Sequence, residues 1–217
     1  MRQLFAYLKG VHAMKPKAGQ KRVLMLNSGG FDSAVLYHKL VSDGYMVYSL
    51  FFDFGQNNVV EEHDTVVRMC GGENLRILKL PSFDWSGSSI TSGGECTEDL
   101  DKIYVEMRNL IFLSYAVSIA EAQAIRSVYY AVSKSPGMYK DTSDEFVKHF
   151  NDISRMCDVE VFTPFADTEK KDLIHLAKEY GIGYNDFFSC YYPTEAGRPC
   201  GECLDCVFLE ELYANKE

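Results

Sequence analysis

The apolar positions of this chain alternate between short continuous runs and helical stripes. From 22 to 26 the run RVLML is continuously apolar after Arg22 and is followed by Asn-Ser-Gly-Gly, which predicts a strand buried on both faces. Ala34, Val35, Leu36, Leu40 and Val41 then recur at helical spacing over 33–43, and Gly44 stands where a helix would end. The segment 45–53 (YMVYSLFFD) is rich in aromatic and β-branched residues, so it predicts a second strand, parallel to the first because a helix carries the crossover. Further helices are expected over 59–70, 108–124, 143–157 and 170–180, and further strands over 75–80, 127–132 and 159–163. This repeat implies an α/β fold with a doubly wound, mostly parallel sheet. The stretch 81–106, rich in Ser, Gly and Asp, follows neither period and reads as a long loop.

A chain of 217 residues accommodates one substantial domain. Its organisation reads as an N-terminal extension over 1–20, an α/β domain over 21–188 and a cysteine-rich tail over 189–217 that looks like a small metal-held appendage. With 47% hydrophobic and 24% charged residues, disorder, collagen-like repeats and coiled coils are excluded. The formal charge of −9 repels phosphate backbones, which argues against a direct nucleic-acid partner. Ser114, Ser118 and Glu121 interrupt the most apolar stretch well short of a bilayer's span, so no membrane role is expected. The N-terminus lacks the apolar run of a signal peptide, which predicts a cytoplasmic protein.

Two constellations carry chemistry. Leu26, Asn27, Ser28, Gly29, Gly30, Phe31, Asp32 and Ser33 lie between the first strand and the first helix, where unpaired backbone N–H groups and the helix dipole favour an anion. Gly29 and Gly30 allow positive φ and close backbone approach, and Ser28 and Ser33 add hydroxyls. No Lys follows the second glycine, so this is not a Walker loop. The plainer reading is a turn with Asp32 or Ser33 as helix cap. Of the seven cysteines, Cys70, Cys96 and Cys157 are scattered, whereas Cys190, Cys200, Cys203 and Cys206 cluster with Cys-x2-Cys-x2-Cys spacing. Four such thiolates suit one structural Zn(II) with no coordination position left for water; an iron–sulfur cluster is the competing occupant.

SGGFDS resembles the SGGxDS pyrophosphate loop of N-type ATP pyrophosphatases, and further motifs resemble one family among them, the 7-cyano-7-deazaguanine synthases. These are Phe52-Asp53-Phe54-Gly55-Gln56 with Glu61, Val105 and Arg108-Asn109 ahead of the run 110–114, Tyr139, Asp141, Glu145 and Phe146, Pro164 with Lys170, and SCYYP through CGECLDC. The likeness runs from about 21 to 209. Departures concentrate at 130–143, where the family's Gly, first Asp, Cys and Arg are missing, and Glu106 replaces a Pro.

The resemblance implies an ATP-dependent ligase that converts 7-carboxy-7-deazaguanine and ammonia into the 7-cyano base through adenylated intermediates, and leaves room for a homodimer. It assigns Leu26, Ser28, Gly29, Gly30, Phe31, Asp32, Ser33, Asp53 and Gln56 to ATP, with Asp32 also near Mg(II). Asp32, Ser33, Lys170 and Arg108 would act in catalysis, and Arg108, Asn109, Tyr139, Asp141 and Glu145 would meet the deazapurine. No catalytic base is evident. Two alternatives remain at this level: a ligase that stops at the amide or joins the acid to another amine, and a zinc-stabilised nucleotide-binding module without turnover. His12, His38, His63, His149 and His175 show no ligand spacing, and Trp85 reads as a loop anchor.

Overall fold

The computed structural model describes residues 20–72, 74–91, 93–134 and 139–214. Of the N-terminal extension only Gln20 is among them, and positions 135–138 of the altered segment also lie outside the described residues.

The chain runs β1 (Arg22–Leu26), α1 (Phe31–Ser42), β2 (Met46–Asp53), α2 (Val59–Cys70), β3 (Leu75–Lys79), α3 (Leu100–Ile103), α4 (Arg108–Ala122), β4 (Ser127–Tyr130), α5 (Asp144–Ser154), β5 (Glu160–Phe162), α6 (Leu173–Glu179) and α7 (Leu204–Ala214). The strands form one five-stranded sheet in the order β3-β2-β1-β4-β5, and every pair is parallel. Pairing spreads outward from β1 in both directions, which makes the gap between the carboxyl ends of β1 and β4 the switch point, the place where such sheets bind ligands.

Alternation along β1 builds the two cores. Leu24 and Leu26 face one layer with Phe112, Leu113 and Ala116 of α4 and Phe150 of α5. Val23 and Met25 face the other, with Ala34 and Leu36 of α1 and Leu173 and Ile174 of α6. Helix α1 ends as its sequence predicts: Gly44 takes φ +84°, its N–H donates to the Val41 carbonyl at 3.0 Å, and the Tyr45 N–H donates to the Leu40 carbonyl at 3.0 Å.

Several elements are shorter than their hydrophobic patterns. The helix expected from 170 begins at Leu173, leaving Lys170 in the preceding turn. The one expected over 143–157 ends at Ser154 and gives way to a 3₁₀ turn, Arg155–Cys157. There the buried Asn151 amide donates to the Val161 carbonyl at 2.9 Å and accepts from the Val161 N–H at 2.8 Å, tying the helix end to β5. The loop over 81–106 contains α3, capped by the Asp99 carboxylate, which accepts from the Asp101 N–H at 3.1 Å. The stretch Leu100–Ala122 has the length and apolarity of a membrane span. It is broken between α3 and α4, where Met107 has φ +49°, and α4 buries Phe112, Leu113, Ala116, Val117 and Ala120 against the sheet, as a core helix does.

The tail does not hang from the sheet. Cys190, Tyr192, Cys203 and Cys206 belong to one core, and Leu209 to the other.

Candidate active site and metal centre

The turn from β1 into α1 has the form of an anion cradle. Gly29 takes φ +78°, whereas Gly30 sits at φ −73°, ψ 172°, so only the first glycine needs the left-handed region. Gly30 is constrained by space instead: a Cβ there would lie 3.3 Å from Ser189 Oγ and 3.4 Å from Ser28 Oγ. Gly30 caps α1 without a side-chain hydrogen bond, which leaves the helix N-terminus open to an anion. Around it the Ser28 and Ser33 hydroxyls lie 3.0 Å apart, the Gly30 N–H donates to Ser28 Oγ at 3.3 Å, and the Gly29 N–H donates to buried Asn27 Oδ1 at 3.1 Å. The segment leading into the tail closes the far wall. Phe188 N–H donates to the Gly29 carbonyl, and Phe31 N–H donates to Ser189 Oγ, both at 2.8 Å. Leu26 and Phe31 are buried core residues that anchor the two ends of the turn.

Asp32 and Ser33 lie in the first turn of α1 rather than on a loop facing solvent, and Ser33 is buried. Asp32 points across the switch point: Ser133, just past β4, donates its hydroxyl to Asp32 Oδ2 at 2.6 Å. The other oxygen, Oδ1, is buried and accepts no hydrogen bond among the described residues. Burial raises the Asp32 pKa, partly offset by the charge of Lys170 and the Ser133 bond. Lys170 arrives here because the Lys134 N–H donates to the Thr168 carbonyl at 2.8 Å, holding the turn after β5 beside the end of β4. Its ammonium donates to Asp205 Oδ1 at 2.6 Å, both side chains being largely buried. Burial works against the Lys170 charge, but Asp205 and Asp32 outweigh it and raise the pKa.

A cavity next to this cradle is lined by Tyr104, Arg108, Asn109, Tyr139, Asp141 and Tyr191, among others. Asp141 is 1% exposed. Its Oδ2 accepts the Asn109 N–H at 2.8 Å, capping the start of α4, while Oδ1 has no hydrogen-bond partner among the described residues. Tyr139 stacks on Tyr104 with centroids 4.6 Å apart, and the Arg108 guanidinium sits 5.4 Å from the centroid of the Phe54 ring. The nearby Asp205 carboxylate and burial push the Tyr191 hydroxyl well above its usual pKa.

The four clustered cysteines bring their sulfurs within 4.8 Å of one another, and Cys200 Sγ lies 3.9 Å from Cys206 Sγ. Tetrahedral zinc–thiolate bonds place sulfurs about 3.8 Å apart, so the cluster fits that ion. Backbone N–H groups of Tyr192 and Cys200 donate to Cys190 Sγ at 3.4 and 3.2 Å, and those of Glu202 and Cys203 donate to Cys200 Sγ at 3.4 and 3.3 Å. Such bonds favour the thiolate that a metal requires. The Cys203 thiol is pushed down in pKa, chiefly by its hydrogen bond with Cys190.

Four of the five residues expected at the deazapurine therefore line one cavity. Glu145 does not; it projects from the first turn of α5 with its side chain 84% exposed. Asp53 and Gln56 are engaged within the turn after β2. Asp53 accepts the Gly55 N–H at 3.2 Å and pairs with Lys79 at 3.3 Å. Buried Gln56 accepts the Phe54 N–H at 3.0 Å and donates to the Phe52 carbonyl and to Glu62 Oε2, each at 3.0 Å. Sequence reasoning named Asn27 in the turn without a role and passed over Glu62, Ser133, Ser189, Tyr191 and Asp205. Only Ser189, Tyr191 and Asp205 carried a signal, their closeness in sequence to the cysteines.

Comparison with known proteins is consistent with this geometry. The family model described as queuosine biosynthesis protein QueC matches residues 22–216. A 7-cyano-7-deazaguanine synthase of Rickettsia canadensis is 30% identical over 91% of this chain and 96% of its own, and that of Rickettsia felis is 31% identical over 89% and 94%. Among solved structures, one described as a predicted subunit of tRNA methyltransferase from Methanocaldococcus jannaschii shares the fold, with a TM-score of 0.51 at 18% identity over 73% of this chain and 75% of that one.

Proposed function

The chain belongs to the QueC family of queuosine biosynthesis proteins, and from that premise we propose that it is a ligase converting 7-carboxy-7-deazaguanine and ammonia into 7-cyano-7-deazaguanine, with ATP as co-substrate. The observation that carries the reading is the uncapped start of α1, with left-handed Gly29, opening toward Lys170 at the sheet's switch point.

A carboxylate oxygen is a poor leaving group, so the acid is first joined to AMP with release of pyrophosphate. Ammonia then displaces AMP to give the amide, whose oxygen is activated and lost in the same way to leave the nitrile. The loop from Ser28 to Ser33 holds the phosphates, and Lys170 and Arg108 offset charge developing on pyrophosphate and substrate. Asp32, whose Oδ1 accepts no hydrogen bond among the described residues, would hold Mg(II), which would offset charge on the phosphates. Asn109, Tyr139 and Asp141 orient the base, and Cys190, Cys200, Cys203 and Cys206 hold one structural Zn(II). The protein works in the cytoplasm on a small-molecule acid, without direct nucleic-acid or membrane contact, and a homodimer accords with this role.

The shared name of the relatives favours the nitrile over an amide end product and over a module without turnover. Incubation with ATP, Mg(II), ammonium and 7-carboxy-7-deazaguanine, followed by mass analysis, tests this. The expected result is the nitrile with AMP and pyrophosphate. An accumulating amide moves the end point, and no AMP overturns the proposal.

A further inference from the structure

An anion at the start of α1 needs hydrogen-bond donors, and the backbone leaves fewer than the bare helix end would. The N–H groups of Asp32 and Ser33 donate to nothing among the described residues, but that of Phe31 is engaged by Ser189 Oγ at 2.8 Å. Ser189 thus stands at the mouth of the cradle, although it lies 158 positions further along the chain. Its hydroxyl changes the donor set.

A hydroxyl that accepts one hydrogen bond still has its own proton to give. The Phe31 N–H occupies the Ser189 oxygen as an acceptor, so the hydroxyl proton must point elsewhere, and no described residue receives it. The surroundings of the oxygen show where it can go. A Cβ on Gly30 would lie 3.3 Å from Ser189 Oγ and 3.4 Å from Ser28 Oγ, so two hydroxyls flank the open side of that glycine. The space a side chain would fill there is bordered by the free N–H groups of the first helical turn. Nor can Ser189 swing aside, because both its neighbours are tied down. The Phe188 N–H donates to the Gly29 carbonyl at 2.8 Å, and the Cys190 carbonyl accepts the buried Asn58 amide at 2.8 Å. The hydroxyl is therefore placed before any ligand arrives.

We infer that Ser189 is a phosphate-binding residue: its oxygen accepts the Phe31 N–H while its proton is donated to an oxygen of the nucleotide's phosphate chain. This rests on the reading of 28–33 as the phosphate loop proposed above. A neutral donor meeting an ionised oxygen makes one of the stronger hydrogen bonds. It exists for any ligand that carries the phosphates and is lost for one that lacks them. Because the donor sits on the segment that enters the cysteine cluster, the tail takes part in holding the nucleotide and does more than cover it.

Calorimetric titration of the full-length protein with ATP, inorganic pyrophosphate and adenosine, each with Mg(II), separates phosphate binding from base binding. For Ser189→Ala we expect the Kd for ATP and for pyrophosphate to rise by about 10–100-fold, the loss of one hydrogen bond to a charged group, with adenosine binding and the circular dichroism spectrum unchanged. Ser189→Thr keeps the hydroxyl and should stay close to wild type for all three ligands. Unchanged or tighter ATP binding by Ser189→Ala would overturn the inference; the tighter case would mean that Ser189 only withholds the Phe31 N–H from the phosphate. An equal loss in Ser189→Thr, or a parallel loss of adenosine, would mean that Ser189 shapes the site without donating, and would overturn it as well. A wild type that binds neither ATP nor pyrophosphate would overturn the proposed function itself, whereas binding of both with Ser189→Ala unaltered would remove Ser189 alone.

Discussion

Replacing Gly29 with alanine tests whether the phosphate loop depends on backbone geometry. The residue sits at φ +78°, where an L side chain costs about 1–2 kcal/mol. Space adds to the strain. The new Cβ would lie 2.8 Å from the Glu62 carbonyl, 3.2 Å from Val66 Cγ2 and 3.4 Å from Thr65 Cβ. Val66 is wholly buried and the carbonyl is backbone, so neither can rotate away; the loop or the start of α2 must shift. Overpacking of this kind costs about 1–3 kcal/mol, which brings the total to about 2–5 kcal/mol. For a domain of this length that corresponds to a fall in Tm of about 4–20 °C. Gly30→Ala is the internal control: its φ of −73° is open to any residue, and the nearest atoms are side-chain hydroxyls at 3.3 and 3.4 Å. It should lose about 1 kcal/mol or less. Thermal unfolding of the three proteins decides the matter. A Gly29→Ala protein as stable as wild type, or one no worse than Gly30→Ala, would refute the argument.

Three further outcomes are expected. Because burial raises the Glu62 pKa from 4.5 to about 7, the neutral acid is favoured in the fold, and stability is lost as pH rises between those values, by at most about 3 kcal/mol. Glu62→Gln should therefore gain on wild type over that window in pH-dependent unfolding and hold a constant lead above it; a pH-independent difference would contradict the burial. Asp32→Asn removes the carboxylate facing Lys170 but keeps the Ser133 bond, so AMP formation should fall at least about 10²-fold with the circular dichroism spectrum unchanged; wild-type AMP formation would remove Asp32 from the site. Cys203→Ser should lower zinc content and Tm together, and should also slow pyrophosphate exchange because Asp205, which holds Lys170 at 2.6 Å, lies two residues away; a zinc-free wild type by elemental analysis would reject the metal assignment.

The sheet and its order of helices were legible because the central strands β1 and β2 are buried on nearly every position and short apolar runs alternate with helical stripes; 59–70 matches α2 to the residue. Misplaced boundaries have local causes. Lys170 drops out of its helix because Glu169 bridges to Lys134 across the sheet end, a contact between residues far apart in the chain. Gly29 and Gly30 look alike in sequence, but only one takes positive φ; the other is set by Ser189, more than 150 positions away. The turn over 28–33 and the cysteine cluster could be read as candidate sites because the residues of each lie close together in the chain. The setting of Glu62 could not, since a glutamate in a helix's first turn is ordinary until Gln56, Asn58 and Arg108 surround it.

The position of the tail sets the proposed metal centre beside the proposed phosphate site. Cys190 follows Ser189, which receives the Phe31 N–H at the start of α1, while the Cys190 carbonyl receives the Asn58 amide that also binds Glu62. Asp205, between Cys203 and Cys206, holds Lys170, and Tyr191 stands among Asp205, Arg108 and Glu62. Fixing the four sulfurs around one ion therefore fixes, within a residue or two, the groups that close the phosphate cradle, orient Lys170 and brace Glu62. A thiolate lost from the cluster frees its neighbours on both sides, and the sheet with its remaining helices would persist around a cradle that had lost one wall.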